Sequence, residues 1–449
     1  MHFPWHSRKR CRRGGLMELH GWGRYPRQDA QVVEPVSRQQ CVRAVPNAGP
    51  LIARGRGRSY GDSALGPQVL STRHLDQFHD FDPLTGLLSC AAGTSLDDIL
   101  KTFVPRGWFL PVLPGTRFIT VGGAIASDVH GKNHHRDGTF SAYVSSIQIL
   151  LGNGECVVAS PTDKAELFHA TCGGMGLTGV IVSAVLRLKA ITASDILETR
   201  MKAPSLDAVL EAFDANAASA YSVAWMDCMA RGASLGRSIL VMGEPCVEGP
   251  LVARRAKAFG VPADMPSGLL NRAVARVFNA TYYRRARSGA PTTRKPFESF
   301  FAPLDAIAGW SSLYGRPGFL QYQFVLPKEA GVTGLRDILK RIGQSEQGAF
   351  LAVLKLFGDA NDNPLSFPMK GYSLAVDFKA EAGVFELLDV LDGIVAAHGG
   401  RLYLAKDARM SEATFKAGYP RWQEFEEVRA RWHAHGKFMS TQSRRLGLA

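Results

Sequence analysis

The chain has 449 residues, of which 46% are apolar and 21% charged, with 53 Lys and Arg against 40 Asp and Glu for a formal charge of +13. That length and apolar content suit a globular chain with more than one domain and a sizeable core, and the cationic excess points to nucleic acid, an anionic membrane surface or phosphorylated substrates. No helix-turn-helix, zinc-finger or RNA-binding signature accompanies the charge, which argues against nucleic acid, and no window of about 18 apolar residues occurs, which excludes an ordinary spanning helix.

Residues 1–20 carry Arg8, Lys9, Arg10, Arg12 and Arg13 without the apolar run of a signal peptide, so a flexible basic tail is expected. The seven cysteines, at 11, 41, 90, 156, 172, 228 and 246, form no C-x-x-C pair. Neither a disulfide framework nor a zinc ribbon follows, and a reducing, cytoplasmic compartment is expected.

From 28 to 190, short apolar runs alternate with turn signals. LDDILKTFVPRGW, from Leu96, has helical spacing ended by Pro105 and Gly107. SIQILLGNGECVVAS reads as a hairpin turning at Asn153-Gly154, and GVIVSAVLRLKAI alternates as a strand. This segment predicts a mixed α+β domain, not a doubly wound one. From about Ser194, helical patterns (LDAVLEAFDANAA, VFELLDVLDGIVAAHG) alternate with strands such as FLQYQFVLP and YSLAVDF, predicting a second domain of antiparallel sheet flanked by helices.

Three glycine-bearing stretches stand out: GRGRSYGD (55–62), TVGGAIASDVHG (120–131) and CGGMGLTGV (172–180). Glycine lets backbone approach a ligand and aim N–H groups inward as an anion nest, so two such turns can grip one pyrophosphate. No Gly-Lys-Ser/Thr is present and no G-x-G-x-x-G opens a helix after an N-terminal strand, which leaves out the Walker and Rossmann loops. His130 and His134 stand at i, i+4 beside Asp128, a zinc spacing on a helix, but Gly122, Gly123 and Gly131 argue against a continuous helix and no metal is expected. His134 and His135 are expected to be solvated loop residues. LLNRAVARVFNATYYRRARSGAPTTRKP is an apolar-basic helix pattern running into a loop with Arg284, Arg285, Arg287, Arg294 and Lys295. It predicts a mobile lid over 266–296 that touches anionic lipid.

The order GRGRSYGD, LPVLPGTRFITVGGAIASDVHG, GGMGLTGVIV resembles the vanillyl-alcohol-oxidase/PCMH-type flavoprotein family. HGKNHH, YSVAWMD, GRPGFLQYQFVLP, LKLFGDANDNPLSFP, YSLAVDF and GGRLYLAKDAR narrow the resemblance to its branch of polyprenyl-phosphoryl-ribose 2′-oxidases, over most of the chain. The resemblance implies an FAD-binding domain at 21–194 plus 401–449 and a substrate domain at 195–400. It implies FAD held by Arg54, Gly55, Arg56, Gly57, Arg58, Ser59, Tyr60, Gly61, Asp62, Ser63 and Ala64 on one wall. Gly115, Thr120, Val121, Gly122 and Gly123 would cradle the pyrophosphate; Ser127, Asp128, Val129 and His130 pass the flavin's middle; Val180, Ile181 and Tyr403 complete the site.

Relatives that attach FAD covalently use a histidine where Arg58 stands, so non-covalent FAD is expected. Lys406 matches the family's lysine at the flavin, and Tyr60 and His130 are candidates to orient substrate or relay a proton. Trp225, Tyr314, Gln321, Gln323, Lys355, Phe357 and Ser373 are the expected substrate residues. Gln321 and Gln323 share a strand face suited to a sugar, while Lys355 offers a cation for phosphate beside Phe357 as an apolar wall for the lipid. Ala375 replaces a cysteine frequent in the family, so inhibitors that bond to that cysteine are not expected to attach. The implied activity is oxidation of a lipid-linked ribose at its 2′-hydroxyl, with an NADH-dependent short-chain reductase as functional partner and a peripheral place on the inner face of the membrane. A soluble alditol or aldonolactone oxidase and a non-catalytic flavin scaffold are the alternatives.

Overall fold

In the computed structural model the described residues are 15–254, 259–261, 263–266, 270–287, 289 and 291–448. The basic cluster at 8–13 lies outside them. The fold is α+β, built on three main sheets. The expected tail does not run to residue 20: Met17–His20 is a strand paired antiparallel with Arg27–Val33. It edges a four-stranded sheet completed by Gln68–Ser71 and Ile52–Arg54, and the latter strand delivers the first glycine loop.

A five-stranded sheet follows, with Val180–Arg187 at its centre between Leu87–Ala91 and Val144–Leu150. Residues of the helix expected at Leu96 form Leu96–Phe103, where the Ser95 side chain accepts the Asp98 N–H. A short 3-10 turn and Gly107 at φ +82° end it, a conformation that favours glycine. The predicted hairpin is present: Val144–Leu150 pairs antiparallel with Cys156–Ala159, and Gly154 takes φ +91° between them.

Two features near the second glycine stretch differ from expectation. Gly122 and Gly123 lie inside a helix, Val121–Ala126, not in a turn. Thr120 caps it by accepting the Gly123 N–H, and glycine is needed because a Cβ on Gly122 would come within 3.0 Å of the Ala92 Cβ. The helix stops at Asp128, whose φ of +39° turns the chain before a second short helix, His134–Asp137. His134 is buried on that helix, not solvated.

The third sheet has eight strands in the order Thr293–Pro296, Asp195–Ala203, Ser238–Pro245, Tyr221–Met226, Ala349–Phe357, Gly371–Lys379, Phe319–Pro327 and Arg401–Leu402. Helices Leu206–Ala215, Lys328–Gln344 and Val384–Ala397 cover one face and bury the apolar core there. The other face looks toward the glycine loops. After Leu402 the chain returns to them: the Thr441 N–H bonds the Leu65 carbonyl, and Arg445 pairs with buried Asp62 and Asp407 at 2.8 Å each. Residues 267–269, 288 and 290 of the expected lid lie outside the described residues, and four of the five cations expected in its loop fall in regular elements. Arg284 and Arg285 end the helix Arg272–Arg285, and Arg294 and Lys295 sit in the strand paired with Asp195–Ala203.

Candidate active site

A cavity of about 860 Å³ lies between the glycine loops and the open face of the eight-stranded sheet. Strand pairing sets that face. Gln321 stands opposite Asp377, Gln323 opposite Ala375, and Lys355 opposite Ser373, so one register places these side chains in adjacent rows. Of them, Gln321, Gln323, Ser373, Ala375 and Lys355 line the cavity, as do Trp225 and Tyr314.

Lys406, Tyr60 and His130 converge on the same space. The Tyr60 N–H donates to the Ala405 carbonyl at 3.0 Å, and the Lys406 ammonium lies 3.8 Å from the centre of the Tyr60 ring. That ring stacks edge-on against Phe319. Burial lowers Lys406 from 10.5 to about 7, opposed by Asp377 and assisted by Lys355. Tyr60 is pushed well above its ordinary value, first by burial and then by Asp377, so it stays a neutral hydroxyl.

His130 is held well below its ordinary value by burial and then by Lys355, so the ring is neutral. The Lys355 Nζ lies 3.4 Å from its Nδ1, and the Gln323 amide lies 3.1 Å from its Nε2. A neutral imidazole has one N–H. Both the Lys355 ammonium and the Gln323 amide nitrogen are donors, so the neutral ring accepts from only one of them.

The glycine side separates into donors and spacers. On residues 54–64 all but Gly61 and Asp62 face the cavity. The N–H groups of Gly55, Arg56, Gly57 and Ser59 find no acceptor among the described residues. Arg54, lowered to about 10 by burial alone, and Arg58, stacked 4.4 Å over Trp22, add cations. Free N–H groups beside buried guanidiniums suit a pyrophosphate. Gly115, Thr120, Gly122, Gly123, Ser127, Val129, Ile181 and Tyr403 line the cavity too. The N–H groups of Val121, Gly122 and Gly123, however, are taken by Thr94, Ala92 and Thr120, so this stretch offers close approach, not donors. The residues present therefore fit FAD.

Six expected site residues lie off the cavity. A Cβ on Gly61 would strike the Asp407 carbonyl, so this glycine serves chain packing, and Asp62 is bound to Arg445. Val121 and Val180 point into the core. Asp128 is buried and accepts from Asn361, Asn363 and Ser366, tying the loop after Phe357 to the helix Val121–Ala126. Phe357 is fully buried behind His130, 4.7 Å between rings, and is no wall for a lipid; Leu351 and Val353 of the same strand face the cavity instead.

Other residues had no place in the sequence expectations. Lys132 lines the cavity with its ammonium 4.4 Å over the Phe300 ring, and burial, then Lys355, lowers it to about 7. Asp377 is 1% exposed; it accepts from the Gln321 amide at 2.7 Å and the Tyr314 hydroxyl at 3.4 Å. Alternation along YSLAVDF puts Asp377 on the same strand face as Ser373, four residues on. At the mouth, Val274, Phe278 and Tyr282 of the helix Arg272–Arg285 line the cavity, and Tyr282 packs on Trp225 at 4.7 Å.

An FAD binding domain family matches residues 30–160. The chain is 38% identical to decaprenylphosphoryl-β-D-ribose oxidase of Mycolicibacterium smegmatis over 96% of this chain and 97% of that protein. The chain belongs to the decaprenylphosphoryl-ribose oxidase family. It is also 32% identical to an uncharacterised Streptomyces coelicolor protein, over 79% of this chain and all of that one. A putative D-arabinono-1,4-lactone oxidase of Neurospora crassa shares 32% identity, but over only 25% of this chain and 21% of its own length. As a family member with this cofactor domain, the chain is an FAD-dependent oxidoreductase. Among the described residues no helix is long and apolar enough to cross a membrane.

Proposed function

We propose that this chain oxidises the 2′-hydroxyl of a polyprenyl-phosphoryl-β-D-ribose to the 2′-keto sugar, the first half of an epimerisation toward the D-arabinose donor for cell-envelope glycans. The observation that carries this reading is the charge of the cavity. Lys132, Lys355 and Lys406 are part-buried ammonium groups lowered by burial to about 7, 8 and 7, and among the described residues none has a carboxylate within ion-pair distance. Keeping such groups charged is costly unless an anion joins them. A phosphodiester is one; a free alditol or lactone is not.

In this reading residues 21–194 with 401–449 hold FAD non-covalently, since Arg58 offers no linking nucleophile, and 195–400 hold the sugar. The chemistry supplied by bound FAD is two-electron acceptance from the carbinol carbon as the alcohol becomes a ketone. Lys406 holds the 2′-oxygen and stabilises negative charge that develops there, while the hydroxyl proton leaves to solvent through the Tyr60 hydroxyl, which accepts it as it gives up its own. Tyr60 confines the Lys406 ammonium, Gln321 and Gln323 orient the other hydroxyls, and neutral His130 hands Lys355 toward the phosphate. The lipid leaves past Val274 and Phe278, and the half-exposed Val277 and Phe278 with Arg284, Arg285 and Arg287 rest on an anionic membrane. A separate NADH-dependent reductase completes the epimerisation.

The test is anaerobic reduction of the bound flavin. Farnesyl-phosphoryl-ribose should bleach it while ribitol and aldonolactones do not. Bleaching by the neutral sugars alone would establish the alditol or lactone oxidase, and no bleaching by any sugar the scaffold.

A further inference from the structure

Behind the cavity wall lies a buried carboxylate, Asp377, that the chemistry above does not use. Asp377 lies in the Gly371–Lys379 strand directly across from Gln321, behind the cavity surface. It has no cation within ion-pair distance among the described residues, so a buried charge is left to hydrogen bonds and to a field. Gln321 and Tyr314 supply the hydrogen bonds, and the Tyr314 ring is fixed by stacking on Phe319 at 4.4 Å. The cation whose field it feels is Lys406.

The surroundings of the two groups are one-sided. Asp377 is faced by Gln321 on the neighbouring strand, by Tyr314 on the 3-10 turn Trp310–Tyr314, by Tyr60 on the first glycine loop and by Lys406. Lys406 is faced by the Tyr60 ring, by Asp377, and by Lys355 with His130 beyond. Lys355 opposes the charge on Lys406; Asp377 is the carboxylate that supports it. The same carboxylate holds the Gln321 amide, which hydrogen-bonds Tyr60.

We propose that Asp377 is a positioning residue which keeps Lys406 cationic and aims Gln321, and through it Tyr60, at the reacting sugar. It touches neither substrate nor cofactor and acts through these three side chains. The inference rests on the role given to Lys406 in the proposed function, but it has a readout that needs no sugar.

The flavin-loaded protein is labelled with trace acetic anhydride between pH 5 and 10, and acetylation of Lys406 is followed by mass spectrometry. In Asp377→Asn the midpoint of Lys406 reactivity should fall by roughly 1–3 pH units, the effect of removing an opposite charge nearby. Asp377→Glu should keep it near the wild-type midpoint. Tyr314→Phe removes a hydrogen bond and leaves the charge, and should not move it. Flavin reduction by lipid-phosphoribose should be about 10-fold slower or more in Asp377→Asn at neutral pH and recover toward acid pH, with little change in KM. If Asp377→Asn does not retain flavin, Asp377→Ser is read the same way. An unmoved midpoint, or a loss equal at every pH, would overturn the proposal. A wild type that no lipid-phosphoribose reduces would sink the substrate reading instead, and the labelling would still decide Asp377.

Discussion

Replacing Lys355 by Met should stabilise the protein and weaken its grip on a sugar phosphate at once. Burial brings the ammonium from 10.5 down to about 8. At about 1.4 kcal/mol per pH unit, the charged form carries a penalty of about 3 kcal/mol in the folded state. Its cavity face keeps some hydration and the His130 contact offsets about 1 kcal/mol, leaving a net gain of about 1–2 kcal/mol for Met, which fills the same volume. The sign is set by a folded value below the unfolded one. Below pH 8 both states hold the proton and the penalty is complete; between pH 8 and 10.5 the folded state sheds it while the unfolded chain does not, so the wild type gains stability. Urea unfolding should therefore show the variant more stable at pH 7 and the gap closing by about pH 10. The same change removes a charged hydrogen bond to phosphate of about 1.5–3 kcal/mol, raising KM for lipid-phosphoribose about 10- to 150-fold. A variant less stable at pH 7, a gap that ignores pH, or an unchanged KM would refute the reasoning.

Arg445→Met leaves Asp62 and Asp407 buried without their shared guanidinium and should cost about 3–5 kcal/mol, read as a lower thermal midpoint that partly recovers in acid. Gly57→Ala places a Cβ within 2.2 Å of the Arg54 Nη2 at a φ of +64°, so the purified protein should carry less flavin by visible absorbance. Val277→Ser with Arg284, Arg285 and Arg287 changed to Gln should abolish cosedimentation with anionic liposomes and leave reduction by a short-chain substrate intact; unchanged cosedimentation would exclude this surface as the membrane contact.

How far the sequence reached follows from which contacts are local. Alternation in FLQYQFVLP and LKLF puts Gln321, Gln323 and Lys355 on the cavity side, because strand parity is a local property. Parity gives a side and not a depth, so Phe357, two residues beyond Lys355, shares the face yet ends behind His130. His134 sits in a polar run and looks solvated; it is buried because Phe357 packs on its ring and the Gly358 N–H donates to its Nδ1, partners more than 200 positions away. Gly122 and Gly123 suggest a turn by composition, and a helix forms because Thr120 caps it and Ala92 needs the space. Asp62 and Asp128 are carboxylates inside glycine motifs whose partners, Arg445 and the loop at 361–366, arrive from the far end of the chain.

In the proposed reaction the ribose C2 carbon of a phosphoryl-linked lipid gives up its hydrogen to the flavin beside Lys406. Stopped-flow reduction with polyprenyl-phosphoryl-ribose deuterated at C2 tests it most directly. Flavin bleaching should slow by a primary isotope effect with deuterium at C2 and not at C3. Equal rates for the C2-deuterated and unlabelled substrates, or an effect that appears only at C3, would contradict it.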